Sequence, residues 1–163
     1  MENYFKLTSE SKVNIFGVTL FRIELTVDCK WGKAGDKGGW IESEKLANGN
    51  ARVSGNAWVS GDAWVSGNAR VSGNARVSGD AQVSGYAWVY GDAWEESPLQ
   101  IQGTKHFVNI CAKGKLKIGC YELEIDSWLN KFESIGEKEG YTPKQIKEYG
   151  LYIKLAKELS ELE

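Results

Sequence analysis

The chain has 163 residues, of which 20 are Lys or Arg, 22 are Asp or Glu and one is His, so its net charge at pH 7 is −2. This balance gives no reason to expect a nucleic-acid partner or an anionic membrane surface. No apolar run approaches the roughly 18 residues that a membrane span needs, and the first residues, MENYFKLTSESK, lack the apolar core of a secretion signal. We therefore expect a protein of the cytoplasm.

The cysteines also limit the chemistry that we expect. Cys29, Cys111 and Cys120 are an odd number of thiols without a CxxC pair. This usage favours reduced thiols and argues against a zinc site, although a bridge between Cys111 and Cys120 across a hairpin stays open. We expect neither a resident metal nor a cofactor.

The N-terminal segment predicts a β-hairpin that caps the domain after it. Residues 13–16 and 18–27 are rich in β-forming side chains, and Gly17 lies near the turn between them. The Gly-rich stretch KAGDKGG at residues 33–39 then leads into the next segment. We assign residues 1–38 to this N-terminal β cap.

Residues 39–96 repeat a six-residue word, A-x-V-S-G-N/D. A period of six does not fit an α-helix, whereas A-x-V alternates inward and outward as a strand does. The Ser-Gly-Asn/Asp that follows supplies a corner, because Gly adopts positive φ freely. Three words make one coil, and coils stacked about 4.8 Å apart form a parallel β-helix with a solid interior. This packing predicts three valine columns: Val53–Val71–Val89, Val59–Val77 and Val65–Val83.

The variable position of each word faces outward and holds mostly Trp and Arg. Stacked coils predict three outer ladders: Arg52–Arg70–Trp88, Trp58–Arg76–Trp94 and Trp64–Gln82. Four outward Trp side chains are more apolar surface than a solvated face normally carries. Either the ladders pack at subunit interfaces, where Trp and Arg are enriched, or they line a ligand groove between subunits. In such a groove Trp would stack on a nucleobase and Arg would clamp a phosphate.

Residues 97–163 predict a module of three short strands and two helices. The strands are predicted at residues 99–102, 106–111 and 115–121. A turn at Lys113-Gly114 precedes the last of them. Apolar residues at helical spacing from Ile125 to Ile135 predict the first helix. The segment Thr142-Pro143-x-Gln145 is a capping box with Pro at the first helical position, and it opens the second.

The loop of Gly103, Thr104, Lys105 and His106 is a second candidate anion site. A glycine, a hydroxyl, a cation and an imidazole in four residues can hold a phosphate. The simpler interpretation is an ordinary hairpin turn. Cys120 lies on a neighbouring predicted strand, and its activation by His106 is a further hypothesis.

The motif KAGDKGGWIESE, followed by GNAxVSGNA words, IQGTKH, IGC and a helical end, resembles a set of hexapeptide-repeat proteins carried by phages and prophages. The resemblance extends from about Lys33 to the C-terminus. It implies a mainly β fold, a left-handed parallel β-helix of about three coils. It also implies a homotrimer and an accessory protein of the host-cell cytosol that inhibits host defence. It supplies no active site.

An acyltransferase is the enzyme class to weigh, because the repeat is similar to that of hexapeptide-repeat acyltransferases. Those enzymes use a His as general base beside bound acyl-CoA. The single histidine, His106, lies outside the coils, and about three coils are short for a CoA-length groove. A three-His zinc site on a threefold axis would need the same residue, and no P-loop or Ser-His-Asp pattern is visible. We expect no catalytic residue.

The leading hypothesis is a non-enzymatic protein that binds and sequesters a small anionic, nucleotide-like signalling molecule. The first alternative is a protein-binding inhibitor of a host defence complex, acting through the Trp and Arg faces or the C-terminal helices. The second alternative is an acyltransferase-like enzyme. The residues assigned to ligand binding come from the ladders and the loop: Arg52, Trp58, Trp64, Arg70, Arg76, Trp88, Trp94, Gly103, Thr104, Lys105 and His106.

Overall fold

A computed structural model describes four stretches of the chain: residues 4–29, 32–48, 50–91 and 93–162. The chain divides into two compact units, Met1–Pro98 and Leu99–Glu163. Neither of the helices in the described stretches has the length and apolar character needed to span a bilayer.

Short strands make up most of the first unit. Along the chain these are β1 (Phe5–Val13), β2 (Thr19–Leu25), β3 (Lys37–Ile41), β4 (Arg52–Val53), β5 (Trp58–Val59), β6 (Trp64–Val65), β7 (Arg70–Ser72), β8 (Arg76–Val77), β9 (Gln82–Val83), β10 (Trp88–Tyr90) and β11 (Ala93–Trp94). A 3₁₀ turn at Glu44–Leu46 follows β3. Strands β4, β7 and β10 pair in one parallel sheet, β6 and β9 in a second, and β3, β5, β8 and β11 in a third. Every third word therefore returns to the same sheet, as the repeat predicts.

The predicted valine columns are confirmed. The cross-strand partners are Val53, Val71 and Val89, then Val59 and Val77, then Val65 and Val83. Each of these side chains is at most 2% exposed, and the repeat alanines from Ala57 to Ala87 are fully buried. The corner glycines from Gly55 to Gly91 have φ between 61° and 82°, which Gly adopts without the steric cost that a Cβ would bring.

The N-terminal hairpin extends one face of the solenoid. Strand β1 pairs antiparallel with β2, and β2 pairs antiparallel with β3, so the sheet order is β1-β2-β3-β5-β8-β11. The strand predicted at residues 13–16 is wrong, because β1 ends at Val13. The Asn14 carboxamide oxygen accepts 2.9 Å hydrogen bonds from the N–H groups of Phe16 and Val18, which folds this stretch into the turn.

The second unit packs a sheet against two helices. Its elements are β12 (Gln100–Gln102), β13 (Phe107–Ala112), β14 (Lys115–Ile118), β15 (Tyr121–Glu124), α1 (Ile125–Lys138) and α2 (Pro143–Ser160). Both predicted helices are confirmed, and Thr142 and Gln145 form the predicted capping box of α2. The single strand predicted at residues 115–121 is wrong. Gly119 has φ +58°, so Gly119-Cys120 forms a tight turn and β15 pairs back on β14.

Candidate functional site

The outer ladders form in part as predicted, on three different sheets. Arg52, Arg70 and Trp88 are successive cross-strand partners, and Trp64 pairs with Gln82. The Arg70 guanidinium lies 6.0 Å from the centre of the Trp88 ring, within the range of a cation–π contact. Trp64 is 48% exposed. The structure thus distributes the predicted ladder residues over three faces of the chain.

The remaining ladder ends differently from the prediction. Trp58 pairs with Arg76, but Trp94 pairs with Val77. Because cross-strand partners share a face of the sheet, Trp94 lies on the interior side. Its Nε1 is buried, with no hydrogen-bond partner in the described part of the chain. The assignment of Trp94 to an outer ligand ladder is therefore wrong: β11 is the last strand of this sheet, and its aromatic ring covers the end of a valine column.

Trp58 is also not the exposed platform that the sequence predicts. Its side chain is only 6% exposed and packs in a cluster with Leu20 and Trp40. The ring of Phe16, in the hairpin turn, lies 6.1 Å from the Trp58 ring. The chain's own hairpin covers this apolar face, which removes Trp58 from the surface available to a ligand. Arg76 remains exposed beside it, with its guanidinium 6.0 Å from the Trp58 ring.

A cavity of about 620 Å³ lies in the first unit, beside the hairpin and the first word of the solenoid. This volume is within the range of roughly 300–1,000 Å³ that is typical of small-molecule sites. Among the predicted ligand residues, Arg52 borders the cavity. Other residues of its wall are partly apolar and partly polar: Tyr4, Phe5, Ile23, Asn50 and Ser54.

The charged groups around the cavity are balanced in number. Arg52 and Lys37 are cations, and Asp28 and Asp36 are carboxylates. Each carboxylate accepts a 2.8 Å hydrogen bond from a backbone N–H of the loop between β2 and β3. The Lys37 ammonium pairs with Glu10 at 2.7 Å, and this hydrogen bond is the main reason why the pKa of Glu10 is lowered. The carboxylates are therefore partly compensated by backbone dipoles.

The sequence predictions did not include the hairpin residues of this cavity. Tyr4, Phe5 and Ile23 belong to a segment that the sequence assigns only to a cap. A signal was available, because Phe5-Lys6-Leu7 alternates as a strand does and places Phe5 on a buried face. What the alternation does not indicate is which part of the solenoid this strand approaches.

The predicted anion loop is a hairpin turn between β12 and β13. The N–H and hydroxyl of Thr104 donate to the two carboxylate oxygens of Glu148, at 2.9 and 2.7 Å. The Lys105 ammonium donates to the carbonyls of Glu139 and Gly140, at 2.6 and 3.0 Å, next to the C-terminal end of α1. Because these donors bind inside the unit, the anion-site assignment is corrected for Thr104 and Lys105. For Gly103 and His106 it stays a prediction.

Tyr149 of α2 holds this turn in place. Its hydroxyl accepts hydrogen bonds from the N–H groups of Lys105 and His106 and donates to the His106 carbonyl at 2.7 Å. The side chain is 3% exposed. Nothing in the local sequence around Tyr149 indicates a hydrogen-bond partner more than 40 residues away.

Removing the Tyr149 hydroxyl should destabilise the second unit. Tyr149→Phe leaves three backbone groups without their partner, and we expect the free energy of unfolding to fall by about 2 kcal/mol. Urea denaturation followed by circular dichroism measures this. Tyr152→Phe is the matched control, because its hydroxyl donates one 3.0 Å hydrogen bond, to the carboxylate of Glu148, within the described residues. Its loss should cost under about 1 kcal/mol. Equal losses in the two variants would contradict the role given to Tyr149.

His106 lies in a partly buried aromatic cluster. Its Nδ1 is 2.7 Å from the Tyr141 hydroxyl, and the two rings stack with centroids 5.6 Å apart. Burial lowers the pKa of His106, and the positive charge of Lys105 lowers it further, against the opposite effect of Glu139. The neutral imidazole is therefore the favoured form in the folded unit.

The stability of the second unit should consequently fall in mild acid. The unfolded chain takes up the imidazole proton near its ordinary pKa of about 6.5, at which the folded unit still resists protonation. The stability is thus fully present above that pH and decreases as the pH falls through it toward the lower pKa of the folded state. We expect Tm to drop between pH 7.5 and pH 5.5, and His106→Gln to remove part of that drop. Parallel pH profiles for the two proteins would rule this out.

The cysteines form no disulfide: Cys29, Cys111 and Cys120 are all free. Burial raises the pKa of the Cys111 thiol to about 11, which leaves it protonated and unreactive. Cys120 is exposed and borders, with His106, a cavity of about 30 Å³, which is large enough to hold a water molecule. Activation of Cys120 stays a prediction. No group of three or more potential metal ligands occurs in the stretches that the structure describes.

Comparison with known proteins agrees with the repeat architecture. A family model described as the YdcK β-solenoid repeat matches residues 49–61, 63–79 and 69–85. Together with the parallel sheets, this match defines the middle of the chain as a β-solenoid repeat. No curated protein matches the chain.

Proposed function

We propose that this protein is a non-enzymatic binding protein that holds a small nucleotide-like molecule in the cavity beside Arg52. By removing that molecule from solution it would inhibit host antiviral defence. The observation that carries the proposal is the 620 Å³ cavity, whose size suits a ligand of nucleotide dimensions. Tyr4, 46% exposed, supplies aromatic surface for a base, and the Arg52 guanidinium is suited to a phosphate.

The proposal extends to the finer features of the fold and assembly. These are a left-handed solenoid of about three coils, a homotrimer, and a phage-type accessory protein of the host-cell cytosol. The period of six, the stacked valine columns and the resemblance of KAGDKGGWIESE to phage-type repeat proteins support them. Because the cavity beside Arg52 lies within the first unit of a single chain, a trimer would hold three ligands.

Ligand binding tests the proposal directly. Native mass spectrometry of the purified protein should show a co-purified small molecule, and a thermal-shift screen with cyclic dinucleotides, ADP-ribose derivatives and CoA should raise Tm for one ligand class. Arg52→Ala should weaken binding by roughly tenfold to a hundredfold. Arg76→Ala, an exposed arginine of the same repeat position outside the cavity, should bind as the unchanged protein does. No binding in any arm, or equal binding by both variants, would contradict the cavity as the site.

A second candidate function, binding to a host defence protein, is favoured by the hairpin turn. Val13, Ile15 and Phe16 are between 61% and 72% exposed, and a cluster of apolar side chains on a surface often marks a protein contact. The two functions can be separated by measuring phage growth in cells that carry a nucleotide-signalling defence. Under the leading proposal, the Arg52→Ala variant no longer protects the phage from this defence, whereas the Ile15→Ser variant still does. The reverse pattern would favour protein binding.

A further inference from the structure

Helix α2 has two apolar faces on opposite sides. One face buries Tyr149, Ile153 and Ala156 within the second unit. On the other side Leu151 is 59% and Leu155 is 41% exposed. At 3.6 residues per turn these two leucines lie within about 40° of each other around the helix axis, and Ile153 lies roughly opposite. The exposed pair is therefore a separate surface from the face that packs into the core.

The exposed charged residues along α2 include Lys154, which lies between the two leucines in the sequence. Lys144 and Lys147 lie in its N-terminal half, and Glu158 and Glu161 lie at its C-terminal end, all four exposed. Lys157 pairs with Glu161 at 3.3 Å. Among the described residues, neither Lys147 nor Glu158 takes part in an ion pair.

We infer that this face of α2 binds the same face of a second copy of the chain, with the two helices antiparallel. The two-fold axis passes between the two helices at the level midway between Leu151 and Leu155, so that the leucines of the two copies face each other. Lys147 lies six residues before that point and Glu158 five residues after it, distances of roughly 9 and 8 Å along the helix. Antiparallel pairing therefore places each Lys147 opposite the other copy's Glu158.

The opposite charges of Lys147 and Glu158 favour antiparallel over parallel pairing, whereas the exposed Lys154 of each copy lies close to the axis and favours neither. Parallel pairing would place lysines against lysines and glutamates against glutamates, which costs free energy on both sides of the leucines. Leu162, 83% exposed just beyond the end of α2, adds apolar surface toward the other copy's Lys144. The contact is small, so we expect a dissociation constant in the micromolar range.

This interface is independent of the proposed ligand cavity and of the proposed trimer. A two-fold contact doubles a monomer, and it doubles a trimer when the two-fold axes cross the threefold axis at right angles. Sedimentation equilibrium over roughly 1 to 200 µM protein should therefore show a concentration-dependent doubling of mass. Loss of the cavity's ligand binding would leave this doubling intact, so the two proposals fail separately.

Substitution of the leucines is the first test. Leu151→Glu with Leu155→Glu should weaken the doubling at least a hundredfold, while the exposure of both sites leaves the helix content seen by circular dichroism unchanged. Ile15→Glu is the matched control, since it places the same charge on a side chain that is 72% exposed in the first unit, and it should self-associate normally. A mass that does not double, or doubling that survives the leucine substitutions, would overturn the inference.

Charge exchange is the second and sharper test. Lys147→Glu alone and Glu158→Lys alone each place like charges in both symmetric contacts, and each should weaken self-association roughly tenfold at low ionic strength. Mixing these two variants in equal amounts restores opposite charges at both contacts, so the mixture should double as the unchanged protein does. The double variant Lys147→Glu/Glu158→Lys should also recover. Failure of both recoveries would overturn the antiparallel pairing.

Discussion

Val77→Asp is expected to unfold the first unit. Val77 is fully buried in a valine column between Val59 and Trp94. An aspartate there must either bury an uncompensated charge or take up a proton and bury an unpaired carboxyl group. We expect a loss of about 5 kcal/mol, a large part of the 5–15 kcal/mol that stabilises a typical domain.

The same strand provides the control for this substitution. Arg76 precedes Val77 in β8 and its side chain is exposed on the outer face. Arg76→Asp makes the identical new residue one position earlier and should cost under about 1 kcal/mol, mainly through the contact with the Trp58 ring. Six of the seven tryptophans lie before residue 98, so urea denaturation followed by Trp fluorescence reports mainly on this unit. Similar midpoints for the two variants would mean that the valine column does not stabilise the fold.

The contrast between these neighbours shows what the period of six predicts well. Each word decides locally which side chain points inward, because A-x-V alternates and the Gly corner turns the chain. Stacking at a fixed spacing then brings Val53 to Val71 and Val89 without any long-range information. The same reasoning from local spacing gave both helices and the capping box at Thr142.

The predictions failed where distant segments meet. The sequence placed Trp58 in solvent because its word is like the others, but the hairpin turn at Phe16 folds back and covers it. The loop at Thr104 resembled an anion site because its donors are real, but Glu148 of α2 takes them. A carboxylate some 44 residues away is chemically equivalent to the phosphate that the loop was expected to bind.

The candidate site was predictable only in part for the same reason. Arg52 was identified from the repeat, and it borders the cavity. Tyr4, Phe5 and Ile23 reach that cavity because β2 pairs with β3 and carries β1 with it. Sheet pairing between the hairpin and the solenoid is not encoded in any period, so the cavity could not be located from the words alone.

Gly39→Ala is expected to have the second largest effect, because it disrupts the packing of β3, the strand on which the hairpin pairs, against the first coil. A Cβ at Gly39 would lie 2.6 Å from Val53 Cγ1 and 2.7 Å from the Ala57 carbonyl oxygen. That carbonyl accepts the hydrogen bond from the Trp40 N–H that joins β3 to the next coil. The methyl group must push the strands apart, and we expect a loss of about 3 kcal/mol in the urea midpoint analysis.

A double variant separates the two clashes. Val53→Ala creates space near the new methyl group, so Gly39→Ala combined with Val53→Ala should be less destabilised than the sum of the two single variants. The rescue should be incomplete, because the Ala57 carbonyl is backbone and remains in place. Lys37→Ala in the same strand, whose side chain is exposed, should lose under about 1 kcal/mol with its ion pair to Glu10. Strict additivity of Gly39→Ala and Val53→Ala would show that β3 does not pack against the first coil at this point.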